Sequence, residues 1–267
     1  MKIAFIGGGN MGDAILASLL EKKLCKPKDI SVCELIETRR DYLKTKYAVG
    51  VTDNSKEAVA GKDVIVLAVK PQNISDALAA LKGALKPGQL VLSIAAGVTI
   101  KTIKSGLAHD TIIRSMPNTP AQIGLGITGW TATKETTEEQ KAWARTILGA
   151  MGKEIYFDNE AALDMVTAVS GSGPAYFYLF AEMLIQAAVN IGLDITDAET
   201  LVKQTMLGAA HLVNASDKPV AELRRNVTSK GGTTEQALKV FEESGLAQIV
   251  DKAVKAACRR AKELGNQ

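Results

Sequence analysis

The chain is poor in several residue types, and each shortage excludes something. Of its 267 residues, three are cysteine, two are histidine and 4% are aromatic. Cys25, Cys33 and Cys258 form neither a CxxC pair nor an even-numbered set, so a disulfide framework is excluded and a reducing compartment is expected. Cys33 lies in a strand-like run and reads as core. His109 and His211 stand alone, with no carboxylate or cysteine at ligand spacing, which argues against a metal centre and reads both as packing or surface residues. So few aromatics leave no base-stacking surface. A net charge of +3, with basic residues standing together only in short pairs such as Arg39-Arg40 and Arg259-Arg260, gives no electrostatic footprint for nucleic acid. No uncharged apolar run reaches membrane-spanning length. The first strand pattern begins at once, with no charged-then-apolar leader, so a cytoplasmic protein is expected. There is no GKS/T phosphate loop and no nucleophile elbow, because Ser170-Gly171-Ser172-Gly173 lacks the required form.

What remains is an ordinary globular composition, 46% hydrophobic and 23% charged, at a length that suits one large or two modest domains. Its most informative features are two Gly-rich stretches in differently built halves. Gly7-Gly8-Gly9-Asn10-Met11-Gly12 follows the apolar run Lys2-Ile3-Ala4-Phe5-Ile6, and Ser229-Lys230-Gly231-Gly232-Thr233-Thr234 precedes a helical pattern.

The first half alternates short apolar runs with helical patterns. Strands are expected at residues 2–6, 30–33, 64–69, 90–94 and 112–115, then at 127–131 and 154–157. Val64-Ile65-Val66-Leu67-Ala68-Val69 is apolar throughout, as a strand covered on both faces should be. Asn54-Ser55-Lys56-Glu57 and Thr137-Glu138-Glu139-Gln140 read as capping boxes that open helices. This alternation predicts an α/β fold with a parallel, doubly wound, Rossmann-type sheet over residues 1–159. From residue 160 to 267 everything reads as helix: 161–169, a break at Ser170-Gly171-Ser172-Gly173-Pro174, then 175–191, 196 to about 214, 235–243 and 247–264. The 175–191 helix is polar only at Glu182, Gln186 and Asn190 and must be buried on most sides. The helical part is too small to surround it, which favours a homodimer over the alternative of a central helix in a monomer core.

A bare GxGxxG arises by chance in glycine-rich chains. Here it follows a strand and opens an amphipathic helix with Ile15, Leu16, Leu19 and Leu20 on one face. In that setting Gly7 makes the tight turn, Gly9 lets the backbone approach a pyrophosphate, and Gly12 allows close helix–strand packing. The helix N-terminus then presents N–H groups and positive dipole to phosphate. Glu34 ends the second strand, near the spacing of about 20 residues at which an acidic side chain receives ribose hydroxyls; a solvated strand end is the equal alternative. Lys70-Pro71 and Ala95-Ala96-Gly97 fall at C-terminal strand ends, the ligand edge of such sheets. Arg114-Ser115-Met116-Pro117-Asn118-Thr119-Pro120 lies along the same edge, near the nicotinamide end of a dinucleotide or as a rigid turn. In the second stretch, Thr233 followed by Gln236 reads as a capping box, with glycine N–H groups able to wrap a carboxylate; a merely well-capped helix is the plainer alternative.

Taken together, four blocks resemble the pyrroline-5-carboxylate reductase family: residues 5–12, Ser93-Ile94-Ala95-Ala96-Gly97-Val98-Thr99, Met116-Pro117-Asn118-Thr119-Pro120, and the pair formed by residues 169–176 and 227–234. Their order and spacing match over essentially the whole chain. The resemblance implies a Rossmann domain followed by a helical dimerisation domain, in dimers often gathered into pentamers of dimers, with sites that use both subunits. It implies NADH or NADPH held by Ile6, Gly7, Gly8, Gly9, Asn10, Met11, Asn54, Ala68, Val69, Lys70, Pro71, Ala95, Ala96 and Gly97. It implies a substrate carboxylate held by Ser229, Gly232, Thr233 and Thr234, with the Thr234 hydroxyl at the ring nitrogen as the catalytic contact. The reaction implied is reduction of L-1-pyrroline-5-carboxylate to L-proline, the last step of proline biosynthesis. Two departures stand out: Lys230 replaces a usual proline, and Glu34 stands where members preferring NADPH carry small or basic residues. The rival readings are a β-hydroxyacid dehydrogenase, which would need Lys203 or Lys230 as its catalytic lysine, and a dinucleotide-sensing module, which would have no use for the second cradle.

Overall fold

The computed structural model describes residues 1–265; the last two residues of the expected helical domain lie outside the described residues. The chain divides into two compact units, one of Met1–Ser172 joined by the stretch from Ala257 onward, the other Gly173–Ala256.

In the first unit the strands are β1 (Ile3–Ile6), β2 (Ile30–Cys33), β3 (Gly50–Thr52), β4 (Val64–Leu67), β5 (Leu90–Ser93), β6 (Ile112–Met116), β7 (Gly126–Ala132) and β8 (Gly152–Tyr156). The helices between them are α1 (Asn10–Glu21), α2 (Glu37–Tyr47), α3 (Ser55–Val59), α4 (Ile74–Leu81), α5 (Ile100–Leu107) and α6 (Glu138–Gly149), and α7 (Ala162–Val166) follows β8. Among the described residues the strands form one sheet in the order β3-β2-β1-β4-β5-β6-β7-β8. The period of two along β1 sorts its side chains between two cores. Ile3 and Phe5 join Ile15, Leu16 and Leu19 of α1 on one face, while Ala4 and Ile6 join Ile65, Leu67 and Leu78 on the other. Fully burying one such side chain contributes about 1.5–3 kcal/mol. β4 is buried at every position, as its unbroken apolar run predicts.

The sheet corrects the expectation of purely parallel strands. β1 to β6 are parallel, but β7 runs antiparallel to β6, and β8 is parallel to β7. A parallel crossover needs a connection of about a dozen residues or more, usually a helix. Between β6 and β7 the chain has only a 3-10 turn, Thr119–Ile123, so it doubles back. Of the two capping boxes expected in this unit, Thr137/Gln140 is complete. The other is half made: Asn54 caps α3, but the Glu57 carboxylate turns to the Thr52 hydroxyl. The expected break after residue 169 is also corrected. α7 runs into a π-helical turn, Thr167–Gly171, closed by the Ser172 N–H on the Thr167 carbonyl at 2.8 Å.

The second unit contains α8 (Gly173–Asn190), α9 (Ile195–Ala215), α10 (Val220–Asn226), α11 (Thr233–Glu243) and the start of α12 (Leu246–Gly265). α8 leaves Phe177 67%, Tyr178 59% and Leu179 56% exposed, so a single copy does not supply the burial its sequence demands. Among the described residues no helix is long and apolar enough to cross a membrane.

Candidate active site

The strand order reverses direction at β1 and β4, which places a crevice beyond their C-terminal ends. The glycine turn sits there, and its backbone demands glycine. Gly7 has φ +99°, and a Cβ on it would lie 2.8 Å from the Ala68 carbonyl oxygen. A Cβ on Gly12 would meet the Gly7 oxygen at 2.8 Å, whereas one on Gly9 would meet nothing within 4 Å. Gly7 and Gly12 therefore hold the turn closed, and Gly9 faces open space where a phosphate can approach. Gly8, which carries no role in the sequence pattern, packs closely on the core: a Cβ on it would lie 2.5 Å from Leu43 Cδ1, which would have to shift. α1 starts at Asn10 with Gly9 as its cap residue and no side-chain cap, so its first-turn N–H groups remain for an anion. These features fit a dinucleotide pyrophosphate.

Glu34 is more than a solvated strand end. Its Oε2 accepts the Gly8 N–H at 2.9 Å and its Oε1 accepts the Ile36 N–H at 3.0 Å. Arg39 completes a clamp, with Nε donating to the Gly8 carbonyl and Nη2 to Asp13, both at 2.7 Å. Asp13 also accepts the Tyr47 hydroxyl at 2.5 Å. Burial pushes the Asp13 carboxyl upward, but the hydrogen bonds from Tyr47 and Arg39 outweigh it and hold the group below its ordinary range. Burial and the same contact push Tyr47 up to about 12. Arg40 is turned away, donating to the carbonyls of Glu34 and Leu35 at 2.7 and 2.8 Å.

The other expected dinucleotide residues line the same edge. Asn54 is exposed and uses its amide oxygen to cap α3, accepting from Lys56 N–H at 3.0 Å. Ala68 donates its N–H to Ile6 at 2.8 Å, which leads Val69, Lys70 and Pro71 out past β4. Ala95, Ala96 and Gly97 follow β5, with the Ala95 N–H on the Ser93 hydroxyl at 3.3 Å. Ser115 donates to the Ser93 carbonyl at 2.9 Å. Asn118 accepts the Ile127 N–H at 3.0 Å and donates to Ser170 at 3.3 Å, so the loop after β6 is pinned to the π turn.

The second cradle lies in the other unit. Here the expected capping box is corrected: Gly232 is the cap residue, Thr233 is already the first residue of α11, and no side chain caps the helix. Glu235 instead reaches back to accept the Gly231 N–H at 2.7 Å, and Gly231 has φ +73°. The turn is closed by the Gly232 N–H on the Ser229 carbonyl at 3.0 Å. The N-terminus of α11 consequently offers the N–H groups of its first turn beside the hydroxyls of Ser229, Thr233 and Thr234, a good seat for a carboxylate. Ser229 and Thr233 are exposed and Thr234 is half-buried. Lys203 is held by Glu199 at 2.6 Å in an exposed pair one helical turn apart, which leaves the β-hydroxyacid dehydrogenase reading without a catalytic lysine there. His109 is buried against the Gln89 carbonyl at 2.7 Å, a packing residue as its isolation predicts.

A glycine turn and an uncapped helix at the reversal point of a doubly wound sheet define a Rossmann-type, dinucleotide-dependent oxidoreductase, here joined to a helical unit with its own anion seat. Comparison with known proteins narrows the class. Residues 160–264 match the family model described as pyrroline-5-carboxylate reductase dimerisation, and residues 2–97 match one described as NADP oxidoreductase, coenzyme F420-dependent. The chain is 42% identical to a pyrroline-5-carboxylate reductase of Synechocystis, with 100% of this chain and 99% of that one covered. It is also similar to the structure of a Coxiella burnetii pyrroline-5-carboxylate reductase, 41% identical, TM-score 0.93, over 98% of both chains. A Plasmodium falciparum pyrroline carboxylate reductase solved with NADP bound is 31% identical, TM-score 0.87, over 99% of this chain and 98% of that one. The chain belongs to the pyrroline-5-carboxylate reductase family. Its helical part carries the family's dimerisation region, and it is a homo-oligomer on that ground.

Proposed function

We propose that the protein reduces L-1-pyrroline-5-carboxylate to L-proline with NADH or NADPH in the cytoplasm, closing proline biosynthesis. The observation that carries this reading is the presence of both cradles in a chain similar to pyrroline-5-carboxylate reductases over its full length.

The reduced dinucleotide, when bound, supplies a hydride. The residues assigned to hold it are Ile6, Gly7, Gly8, Gly9, Asn10, Met11 and Gly12 at the pyrophosphate, Glu34 and Asn54 on the ribose side, and Ala68, Val69, Lys70, Pro71, Ala95, Ala96 and Gly97 along the edge toward the nicotinamide. Ser229, Gly232, Thr233 and Thr234 are assigned to the substrate carboxylate, with N–H groups and helix dipole as the binding force. The Thr234 hydroxyl orients the ring nitrogen. A neutral alcohol is too weak an acid to protonate an imine alone, so the nitrogen takes its proton from solvent before the imine carbon is reduced. No histidine base is needed, and catalysis comes from orientation and charge placement.

The helical module is assigned from residue 160 to the C-terminus and the dinucleotide domain to 1–159, because the dimerisation model begins at residue 160. Assembly of dimers into pentamers of dimers is part of the same proposal. The test is dinucleotide oxidation by the purified protein, followed by nicotinamide absorbance, with proline measured in the same sample. Equal amounts of both products support the reading. Dinucleotide oxidation with a β-hydroxyacid product, or none with pyrroline-5-carboxylate, overturns it.

A further inference from the structure

One ion cluster of the first unit involves none of the residues assigned above to substrate or dinucleotide. Arg114 of β6 has a side chain only 6% exposed; its Nη1 donates to Glu160 Oε1 at 2.8 Å, and its Nη2 lies 3.6 Å from Asp164 Oδ1. The same Glu160 oxygen accepts the backbone N–H of Ile100, the first residue of α5, at 2.8 Å. One carboxylate is therefore shared between a buried cation and a helix N-terminus, where the dipole also favours negative charge. A buried ion pair is weak evidence for stability, since apolar side chains often replace it without loss. What this one does is fix geometry.

It joins three pieces of the ligand edge. β6 leads into Asn118, α7 carries Asp164 and runs into the π turn bearing Ser170, and α5 directly follows the loop of Ala95, Ala96 and Gly97. That loop is loosely tied from within: the Ala95 N–H reaches Ser93 at 3.3 Å and the Val98 N–H reaches Ala95 at 3.4 Å. Its other side is closed by the end of α12. A Cβ on Gly97 would lie 2.9 Å from Leu264 Cβ, and one on Gly265 would lie 3.3 Å from Thr99 Cγ2. The loop thus sits between Glu160 at its far end and Leu264 at its glycine.

We propose that Arg114, Glu160 and Leu264 are positioning residues for the dinucleotide, holding the loop of residues 95–100 through Ile100 and Gly97. This rests on the reading of Ala95, Ala96 and Gly97 as dinucleotide contacts. Loss of the Glu160 carboxylate then weakens dinucleotide binding without touching the substrate cradle, whereas Glu160→Gln, which keeps an oxygen for both donors, largely restores it.

The experiment uses the full-length oligomer as wild type, Glu160→Ala, Glu160→Gln and Leu264→Gly. NADPH and NADH are titrated directly by nicotinamide fluorescence, KM and kcat are measured for both substrates, and amide hydrogen exchange is followed at Ile100. Glu160→Ala is expected to bind dinucleotide roughly tenfold more weakly, with a matching rise in its KM and unchanged KM for the imine, and to exchange Ile100 faster. Glu160→Gln stays within about threefold of wild type, and Leu264→Gly, which removes the Cβ that faces Gly97, weakens binding about threefold. Dinucleotide affinity within about twofold of wild type in both Glu160→Ala and Leu264→Gly overturns the proposal. So does a rise of both KM values together that Gln does not reverse. If Glu160→Ala does not fold, the dinucleotide affinity of Leu264→Gly still decides. If the wild type fails to reduce the imine, the functional reading falls, while Ile100 exchange in Glu160→Ala against Glu160→Gln still tests the brace.

Discussion

Glu34 Oε2 accepts the backbone N–H of Gly8 at 2.9 Å, tying the end of β2 to the glycine turn. The residue expected to receive the ribose hydroxyls is therefore also a brace of the pyrophosphate loop. Both arginines that follow it are engaged, Arg39 with Gly8 and Asp13 and Arg40 with backbone carbonyls.

That arrangement bears on cofactor choice. A second negative charge a few ångströms from Glu34 is disfavoured in a partly dry crevice, though salt and water weaken the effect. NADH is expected to serve at least as well as NADPH. Glu34→Ser should move the ratio of kcat/KM values about tenfold toward NADPH and weaken binding of both dinucleotides through loss of the brace. An unchanged ratio would mean that Glu34 only braces the turn.

Thr234 stands at the second position of α11, where its hydroxyl adds to N–H groups no side chain has claimed. Thr234→Ala should lower kcat about 100- to 1,000-fold, the range for one well-placed catalytic donor, and leave dinucleotide affinity unchanged. Near-normal turnover would remove the hydroxyl from the reaction.

α8 predicts an obligate oligomer. With Phe177 67% and Leu179 56% exposed in one copy, sedimentation at low concentration should show no folded monomer, and Phe177→Glu should dissociate the assembly and lower Tm. A stable, active monomer would contradict this.

The Asp13 clamp predicts a pH dependence. Its folded pKa lies below the free value of 3.8, so its stabilisation is present above that value and lost as pH falls through the folded one. Hydrogen bonds to a charged group contribute about 1.5–3 kcal/mol. Urea unfolding should show wild type more stable than Asp13→Asn by about that much near neutrality, with the gap closing below about pH 4. A gap that widens toward acid would contradict the assignment.

The strands and the glycine turn were legible because one physical cause dominates each. Val64 to Leu67 are apolar on both faces since both faces are covered, Gly7 is dictated by the positive φ of its own turn, and Gly12 by the Gly7 carbonyl oxygen within the same turn. The reversal of β7 was not legible, because strand direction depends on the connection and not on the strand's own residues. β3 is three residues long and α10 seven, too short for a periodic pattern to register. The Thr233 capping box misled because a one-residue shift of the helix start makes Gly232 the cap. Arg114 was visible only as a residue near the end of an expected strand, and its partners Glu160 and Asp164 lie too far along the chain for any local pattern to link them.

The proposed reaction is hydride transfer to a cyclic imine bound by its carboxylate. The most direct measurement is turnover of pyrroline-5-carboxylate with a reduced dinucleotide deuterated at nicotinamide C4 on the transferred face, with the proline examined by mass spectrometry and NMR. Proline carrying one deuterium at the former imine carbon is expected, formed in step with dinucleotide oxidation. Dinucleotide oxidation that yields no proline, or proline without the label, would contradict it.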